Sequence, residues 1–242
     1  MALLAEFPRK LIGNNRTRKS ETGLDKTGLV VRVAERVNIL WDDGEVIYPQ
    51  YESFGHALWR AQELSLFRAH KSLLKAPIAD FGCGDGSFAS LIFGELDYGI
   101  DMDEEALKLA LGYGVYTHLV RSDVSFIPLP SGAIGSVFSN SVLEHLASLE
   151  PILAEIHRIL AKDGVLMFTV PVKQYERDLA KYIGKSASRR VNYDAFHRNL
   201  LEAREWRELL RRHGFSTVTQ NRFSWNNSQP ECFAFDLGDR ER

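Results

Sequence analysis

Residues 78 to 89 read Ile-Ala-Asp-Phe-Gly-Cys-Gly-Asp-Gly-Ser-Phe-Ala, and this stretch restricts the fold more tightly than any other. A short apolar run carries an acid, glycine then takes every second position three times, and an apolar helical stretch begins. That order predicts a strand, a tight turn and a helix. Glycine admits positive φ and leaves the main chain open to a ligand, because no Cβ stands in the way. The turn is expected to open onto a helix N-terminus, whose N–H groups favour an electron-rich ligand group. Its spacing is Gly-x-Gly-x-Gly with Asp80 before it, whereas the dinucleotide fingerprint is Gly-x-Gly-x-x-Gly. A glycine-rich turn with no ligand is the plainer alternative.

The residues that follow alternate between strand-like and helix-like runs. Strands are expected at 78–81, Tyr98–Asp101, 117–121, Gly135–Ser139 and Val165–Val170, with Gly164 just before the last. Between them, helices are expected over Ser87–Gly94, Glu104–Leu111 and 149–161. Alternation at these lengths predicts a doubly wound parallel sheet. In such a sheet the ligand lies beyond the carboxyl ends of the strands. Upstream, Ala57–Leu74 carries apolar residues at helical spacing, and Pro77 separates it from the first strand.

The two ends of the chain read differently. Residues 1–28 are polar and basic, either a loose arm or a patch for an anionic partner. Residues 29–48 hold two apolar runs around Asp42-Asp43-Gly44, a hairpin signal, because such a turn needs positive φ. After Pro171 the apolar period is lost across 172–198, where seven lysines and arginines face three carboxylates, a net of +4. Glu202–Arg212 reads as a helix with Trp206, Leu209 and Leu210 on its apolar side, ended by Gly214. Ser216–Phe223 reads as a strand, and Cys232–Phe235 as a last strand antiparallel to the others.

The chain has 242 residues and a net charge of −2, which gives no global attraction to nucleic acid or membrane. Two cysteines, Cys83 and Cys232, are too few for a disulfide framework and suit a reducing compartment. Cys83 is read as a packing residue inside the glycine turn. No run is as long and apolar as a membrane span, and the start lacks a signal-peptide pattern, so a cytoplasmic location is expected.

Two acids follow the turn at informative places. Asp101 lies 21 residues beyond Asp80, at the end of the second strand, where a carboxylate can accept from both ribose hydroxyls. Asp103 is better explained as a helix N-cap, with Glu104 and Glu105 in the first turn. Asp123-Val124 follows the third strand, where an acid can accept from an adenine amine and an apolar residue can lie along the ring.

With these in place, residues 78–171 resemble the class I S-adenosylmethionine-dependent methyltransferases, most closely the type 11 group. The matching features are Asp-x-Gly-x-Gly-x-Gly at 80–86, Gly-Ile-Asp at 99–101 and Asp-Val at 123–124. To these are added Ser-Asn-Ser-Val-Leu-Glu-His at 139–145 and Ile-x-Arg-Ile-Leu-x-x-x-Gly. The resemblance covers about two-fifths of the chain. It implies S-adenosyl-L-methionine as cofactor, S-adenosyl-L-homocysteine as product, and a Rossmann-like, mostly parallel seven-stranded sheet. It further implies an N-terminal hairpin and helix extension, 1–56, before a methyltransferase domain, 57–242, with a lid insertion at 172–200. By the same resemblance Asp80, Gly82, Cys83, Gly84 and Gly86 would cradle the methionine portion. Asp101, with Met102 beside it, would hold the ribose, Asp123 and Val124 the adenine, and Ser139 would lie near the transferable methyl.

The sulfonium carries an activated methyl, so positioning and a dry pocket do most of the work, and a base is needed only for a poorly acidic nucleophile. His145 and His197 are the candidate bases, each with a plainer reading as a structural or surface histidine. Tyr175 and Tyr193 are weaker candidates, Glu144 is expected to position rather than to catalyse, and no metal is expected. The expected acceptor is a small molecule or glycan reacting through oxygen. The lid's positive charge would either attract an anionic group on it or form a solvated face. Nucleic acid is not the expected partner, and the expected state is monomer or homodimer. Alternatives are an RNA or protein methyltransferase, a cofactor-binding protein without turnover, and a nicotinamide reductase.

Overall fold

The computed structural model describes residues 54–222 and 231–237. The basic arm and the hairpin expected within residues 1–48 lie outside the described residues. Seven strands form one sheet: β1 (Ile78–Phe81), β2 (Leu96–Asp101), β3 (Tyr116–Arg121), β4 (Ile134–Asn140), β5 (Leu160–Val170), β6 (Phe215–Arg222) and β7 (Glu231–Leu237). The helices are α1 (Phe54–His70), α2 (Ser87–Ser90), α3 (Glu104–Tyr113), α4 (Glu150–Ile159), α5 (Lys173–Ile183), α6 (Lys185–Asp194) and α7 (Ala203–Arg212).

The strand order is β3-β2-β1-β4-β5-β7-β6. The first five strands run parallel, and β7 pairs antiparallel with both β5 and β6. The order turns back at β1, which lies between β2 and β4, so the chain ends of these strands form the switch point. Each face is covered separately. On one, Ala79, Phe81, Val137 and Phe168 pack with Ile152 and Ile156 of α4 and with Trp206 and Leu210 of α7. On the other, Phe138 and Met167 meet Leu64 and Phe67 of α1 and Phe93 beyond α2. Parallel strands buried on both faces need apolar side chains in both directions, which explains the unbroken burial of β4 through Ser139.

Local chemistry sets the boundaries. The carboxylate of Asp103 caps α3 by accepting from the main-chain N–H of Glu105 at 2.9 Å, and Gly114 ends the helix at φ 63°. The helix expected over Ser87–Gly94 closes as a single turn at Ser90. In β5, Leu160 pairs with Ile134, and the ladder resumes at Val165 opposite Ser136. The turn at Asp163-Gly164 is therefore a bulge within the strand rather than a lead-in to it, with Asp163 at φ 59°.

The largest departure lies in 172–198, where α5 and α6 pack as a helical pair joined at Gly184. Their buried residues are polar: Asp178, Ser188 and Asn192. Gln174 donates to Asp178 at 2.8 Å, and the Ser188 hydroxyl donates to the Glu176 carbonyl at 2.7 Å. The Asn192 amide donates to the Glu176 carboxylate at 2.9 Å. Where a buried face is satisfied by hydrogen bonds, no apolar stripe marks the helix.

Among the described residues no helix is long and apolar enough to cross a membrane. Trp206 is fully buried against Phe168, with ring centroids 5.4 Å apart. Trp206→Ala is expected to lower unfolding stability by about 3–5 kcal/mol. Leu109→Ala, at a residue 63% exposed, should change it by less than about 0.5 kcal/mol. Urea denaturation of the two variants checks both values, and equal effects would show that the α7 face is not the main core.

Candidate active site at the strand ends

The glycine turn hangs from the end of β1 and is stitched to β2. The N–H groups of Gly82 and Cys83 both donate to the Ile100 carbonyl, at 2.8 and 3.0 Å. Gly84 N–H donates to Asp101 Oδ2 at 2.8 Å, and Asp103 N–H to Oδ1 of the same carboxylate at 2.9 Å. Gly82, Gly84 and Gly86 all have positive φ. At Gly86 a Cβ would also lie 2.9 Å from Tyr116 Cε2, so neither conformation nor space admits a side chain. The expected helix N-terminus is a smaller feature than the sequence suggests. It belongs to a single turn, and the Ser87 N–H is taken by the Asp85 carboxylate at 3.0 Å.

Asp80 does not face an open cradle. It is buried beneath the turn, and Tyr116 donates its hydroxyl to Asp80 Oδ2 at 2.6 Å. Burial pushes the Asp80 carboxyl up to about 7, partly opposed by the Tyr116 hydrogen bond. Cys83 is buried beside it, and burial drives its thiol well above the ordinary range, in keeping with packing rather than redox chemistry. Asp101 is partly exposed at the strand end, with Met102 next to it and 68% exposed. Asp123 is exposed; its Oδ1 accepts from the main-chain N–H and hydroxyl of Ser125 at 2.8 and 2.7 Å, which holds the carboxyl below its ordinary range. Val124 packs against the core below.

Ser139 is expected near the transferable methyl. It is fully buried, and its hydroxyl donates to the Phe81 carbonyl at 2.9 Å, bracing β4 against β1. Asn140 ends β4, and Ser141 follows at the open end. There Ser141 donates to Glu63 of α1 at 2.8 Å, and Arg60 pairs with the same carboxylate at 2.8 Å. Arg60 and Glu63 were not singled out from sequence. Their only signal is a charged residue inside the buried run Ala61–Phe67.

The histidines, 52 positions apart in sequence, come together, with ring centroids 5.4 Å apart. The main-chain N–H groups of Arg198 and Asn199 both donate to the Glu144 carbonyl, at 2.7 and 2.9 Å. The Asn199 amide donates to the Leu143 and Leu146 carbonyls at 2.9 and 2.7 Å. His145 Nδ1 lies 3.3 Å from the Phe196 carbonyl, and His197 Nδ1 lies 2.8 Å from Asn192 Oδ1. Burial lowers both imidazoles, His197 to about 4 with the neighbouring His145 adding to the effect, so both are neutral near pH 7. Glu144 is 1% exposed, and burial pushes its carboxyl up to about 8. Tyr175 lies over this end of α1, edge-on to Trp59 with centroids 5.0 Å apart, whereas Tyr193 is exposed.

Asp80 generates a test of pH dependence. Its folded value is raised above that of an unfolded chain, so its contribution to stability is complete below about pH 4 and is lost as pH rises toward about 7. Asp80→Asn should remove that part of the slope between the two pH values. Thermal melts of both proteins across the interval check it, and parallel curves would overturn the burial argument.

The family described as "Methyltransferase domain" matches residues 79–168, from β1 to the middle of β5. A malonyl-[acyl-carrier protein] O-methyltransferase of Legionella pneumophila is 33% identical over 114 residues, covering 43% of this chain and 40% of that protein. A probable S-adenosylmethionine-dependent methyltransferase of Mycolicibacterium smegmatis is 26% identical, covering 64% of this chain and 61% of that one. The chain thus spans less than two-thirds of the length of these curated relatives. A solved S-adenosylmethionine-dependent methyltransferase of Thermotoga maritima, titled a possible histamine N-methyltransferase, shares the fold. Its TM-score is 0.62 at 20% identity, covering 82% of this chain and all of that one. Fold, turn and relatives agree: residues 79–168 carry a methyltransferase domain, and the chain resembles the class I S-adenosylmethionine-dependent methyltransferases.

Proposed function

We propose that the protein transfers the methyl group of S-adenosyl-L-methionine to an oxygen of a small-molecule or glycan-type acceptor. The observation that carries this reading is the placement of two unlike chemistries at neighbouring strand ends. A glycine turn with the exposed Asp101–Met102 pair follows β1 and β2, and two neutral imidazoles follow β4. Val142 joins them: a Cβ on Gly82 would lie 2.6 Å from its Cγ2. The glycine turn would receive the methionine portion and Asp101 the ribose. Met102, Asp123 and Val124 would line the adenine. The sulfonium supplies an activated methyl, and the chain's part is to align acceptor and donor and to exclude water.

A neutral imidazole is what a hydroxyl acceptor requires, because the hydroxyl must give up its proton as it attacks. The Nδ1–H of His197 is fixed on Asn192, which leaves Nε2 as the proton-accepting atom. The Legionella relative, named an O-methyltransferase, supports an oxygen acceptor. The net charge of +4 over 172–198 supports an anionic group on it, although Lys173, Arg177, Lys181 and Arg190 each pair with a carboxylate.

Calorimetric titration with S-adenosylmethionine, S-adenosylhomocysteine and NADH is the direct check. Binding of the first two and not the third is expected, and the opposite result would overturn the assignment. Asp101→Ala should weaken S-adenosylhomocysteine binding by about 1–3 kcal/mol, the cost of unpairing buried polar groups. Unchanged affinity would remove Asp101 from the cofactor site. In a labelled-methyl assay, His197→Ala should cut turnover on hydroxyl acceptors by about 10²-fold or more, leaving carboxylate acceptors and S-adenosylhomocysteine affinity unaffected. Because protonation of His197 falls at about 4, wild-type turnover should hold through neutral pH and drop as pH falls toward that value. Loss at mildly acidic pH would exclude His197 as the base.

A further inference from the structure

We propose that Glu144, His145 and His197 together hold one divalent transition-metal ion, of the zinc, cobalt and manganese class, at the open end of β4. One ligand atom from each residue lies within 4.8 Å of the other two. Tetrahedral ligands about 2.0–2.2 Å from such an ion are about 3.3 Å from one another, so side-chain rotation alone closes the set.

Both imidazoles are already arranged for it. The atom facing each Nδ1 is an oxygen that can only accept: the Phe196 carbonyl for His145 and the Asn192 amide oxygen for His197. The Asn192 amide nitrogen is identified by its own donation to Glu176 at 2.9 Å, which fixes the oxygen toward His197. Each Nδ1 therefore carries the proton, and each Nε2 presents a lone pair. A metal-binding histidine is commonly held in this way, its second nitrogen donating to a carbonyl or carboxylate.

A separate observation comes from Glu144. Its carboxylate is 1% exposed, Oε1 lies 3.7 Å from His145 Nε2, and Oε2 is buried without a hydrogen-bond partner. A buried acceptor with no donor costs free energy, and here it stands beside two more acceptors. Arg60 lowers the Glu144 carboxyl by its charge but pairs through Nη1 with Glu63 at 2.8 Å and makes no hydrogen bond to Oε2. A cation satisfies all three groups at once. Two imidazoles and one carboxylate favour a borderline transition ion over magnesium or calcium, which prefer all-oxygen sites. Three protein ligands leave a position open, and the exposed edge of His145 turns it toward solvent. That position would take an oxygen of the acceptor; with the ion bound, His197 Nε2 is a ligand, so the ion rather than the free imidazole would make the acceptor hydroxyl more acidic. This last use rests on the methyl-transfer reading; the ion's binding does not.

The test is titration of the full-length, chelator-stripped protein with Co²⁺, followed by its visible absorption, with Zn²⁺ as competitor. One equivalent per chain is expected, displaced by Zn²⁺. His145→Gln and His197→Gln should each weaken binding on the order of 100-fold, and Asn192→Ala, which frees the His197 proton, by about 10-fold or more. His118→Ala, on the exposed edge of β3, should leave binding unchanged. His145 is exposed enough that its variant tests the site even where Glu144→Gln does not fold. No cobalt absorption, or absorption indifferent to the His145 and His197 variants, would overturn the proposal. Cobalt binding without S-adenosylhomocysteine binding would overturn the methyl-transfer reading and leave the metal site standing. The reverse result would overturn the metal site alone.

Discussion

Main-chain N–H groups of the glycine turn are held by β2, at the Ile100 carbonyl and the Asp101 carboxylate. These contacts fix where the turn ends and where its open surface faces. They need two parallel strands in register, Phe81 opposite Ile100, and a main chain that can take positive φ three times in five residues. Once they form, Tyr116 can reach beneath the turn to Asp80, and α3 can pack against the loop without a Cβ in the way. The strand order then brings the end of β4 alongside, so a ligand held at the turn lies next to whatever follows Asn140.

What could be read from the residues followed from backbone chemistry that leaves a sequence mark. Glycine at positive φ, alternating apolar runs and an acid before a helix are such marks, and the parallel sheet, Asp103 as N-cap and α7 with Trp206 all followed from them. The paired helices α5 and α6 left none, because their buried positions are Asp178, Ser188 and Asn192 and their cohesion is hydrogen bonding. For a related reason Ser139 gave no legible sign of the contact that it makes. Its place in a motif says that it matters, and the structure shows that it matters as a brace between strands.

The strand-end cluster shows the limit from the other side. His145 and His197 could each be suspected alone, yet nothing in the spacing of 52 residues says that they touch. Their meeting depends on Asn199, whose amide spans two carbonyls of the turn after β4, and on Glu144, whose main-chain oxygen takes two N–H groups from the same segment. His145 and His197 are brought together by main-chain contacts that constrain sequence only at the single asparagine.

Arg158 works on the same principle at the far side of the site. Its guanidinium is paired with Glu155, at 2.7 Å through Nη2, and reaches the Ile127 and Leu129 carbonyls at 2.9 and 2.8 Å. Glu155 in turn accepts the Ile127 N–H at 2.6 Å. The arginine of the Ile-x-Arg-Ile-Leu run is thus a strut beneath the segment that follows Asp123 and Val124. It grips main-chain oxygens of Ile127 and Leu129, while the buried Ile127 side chain anchors the same segment in the core. The loop after Asp123 and Val124 is thus fixed from both sides, by a charged strut outside and an apolar anchor within.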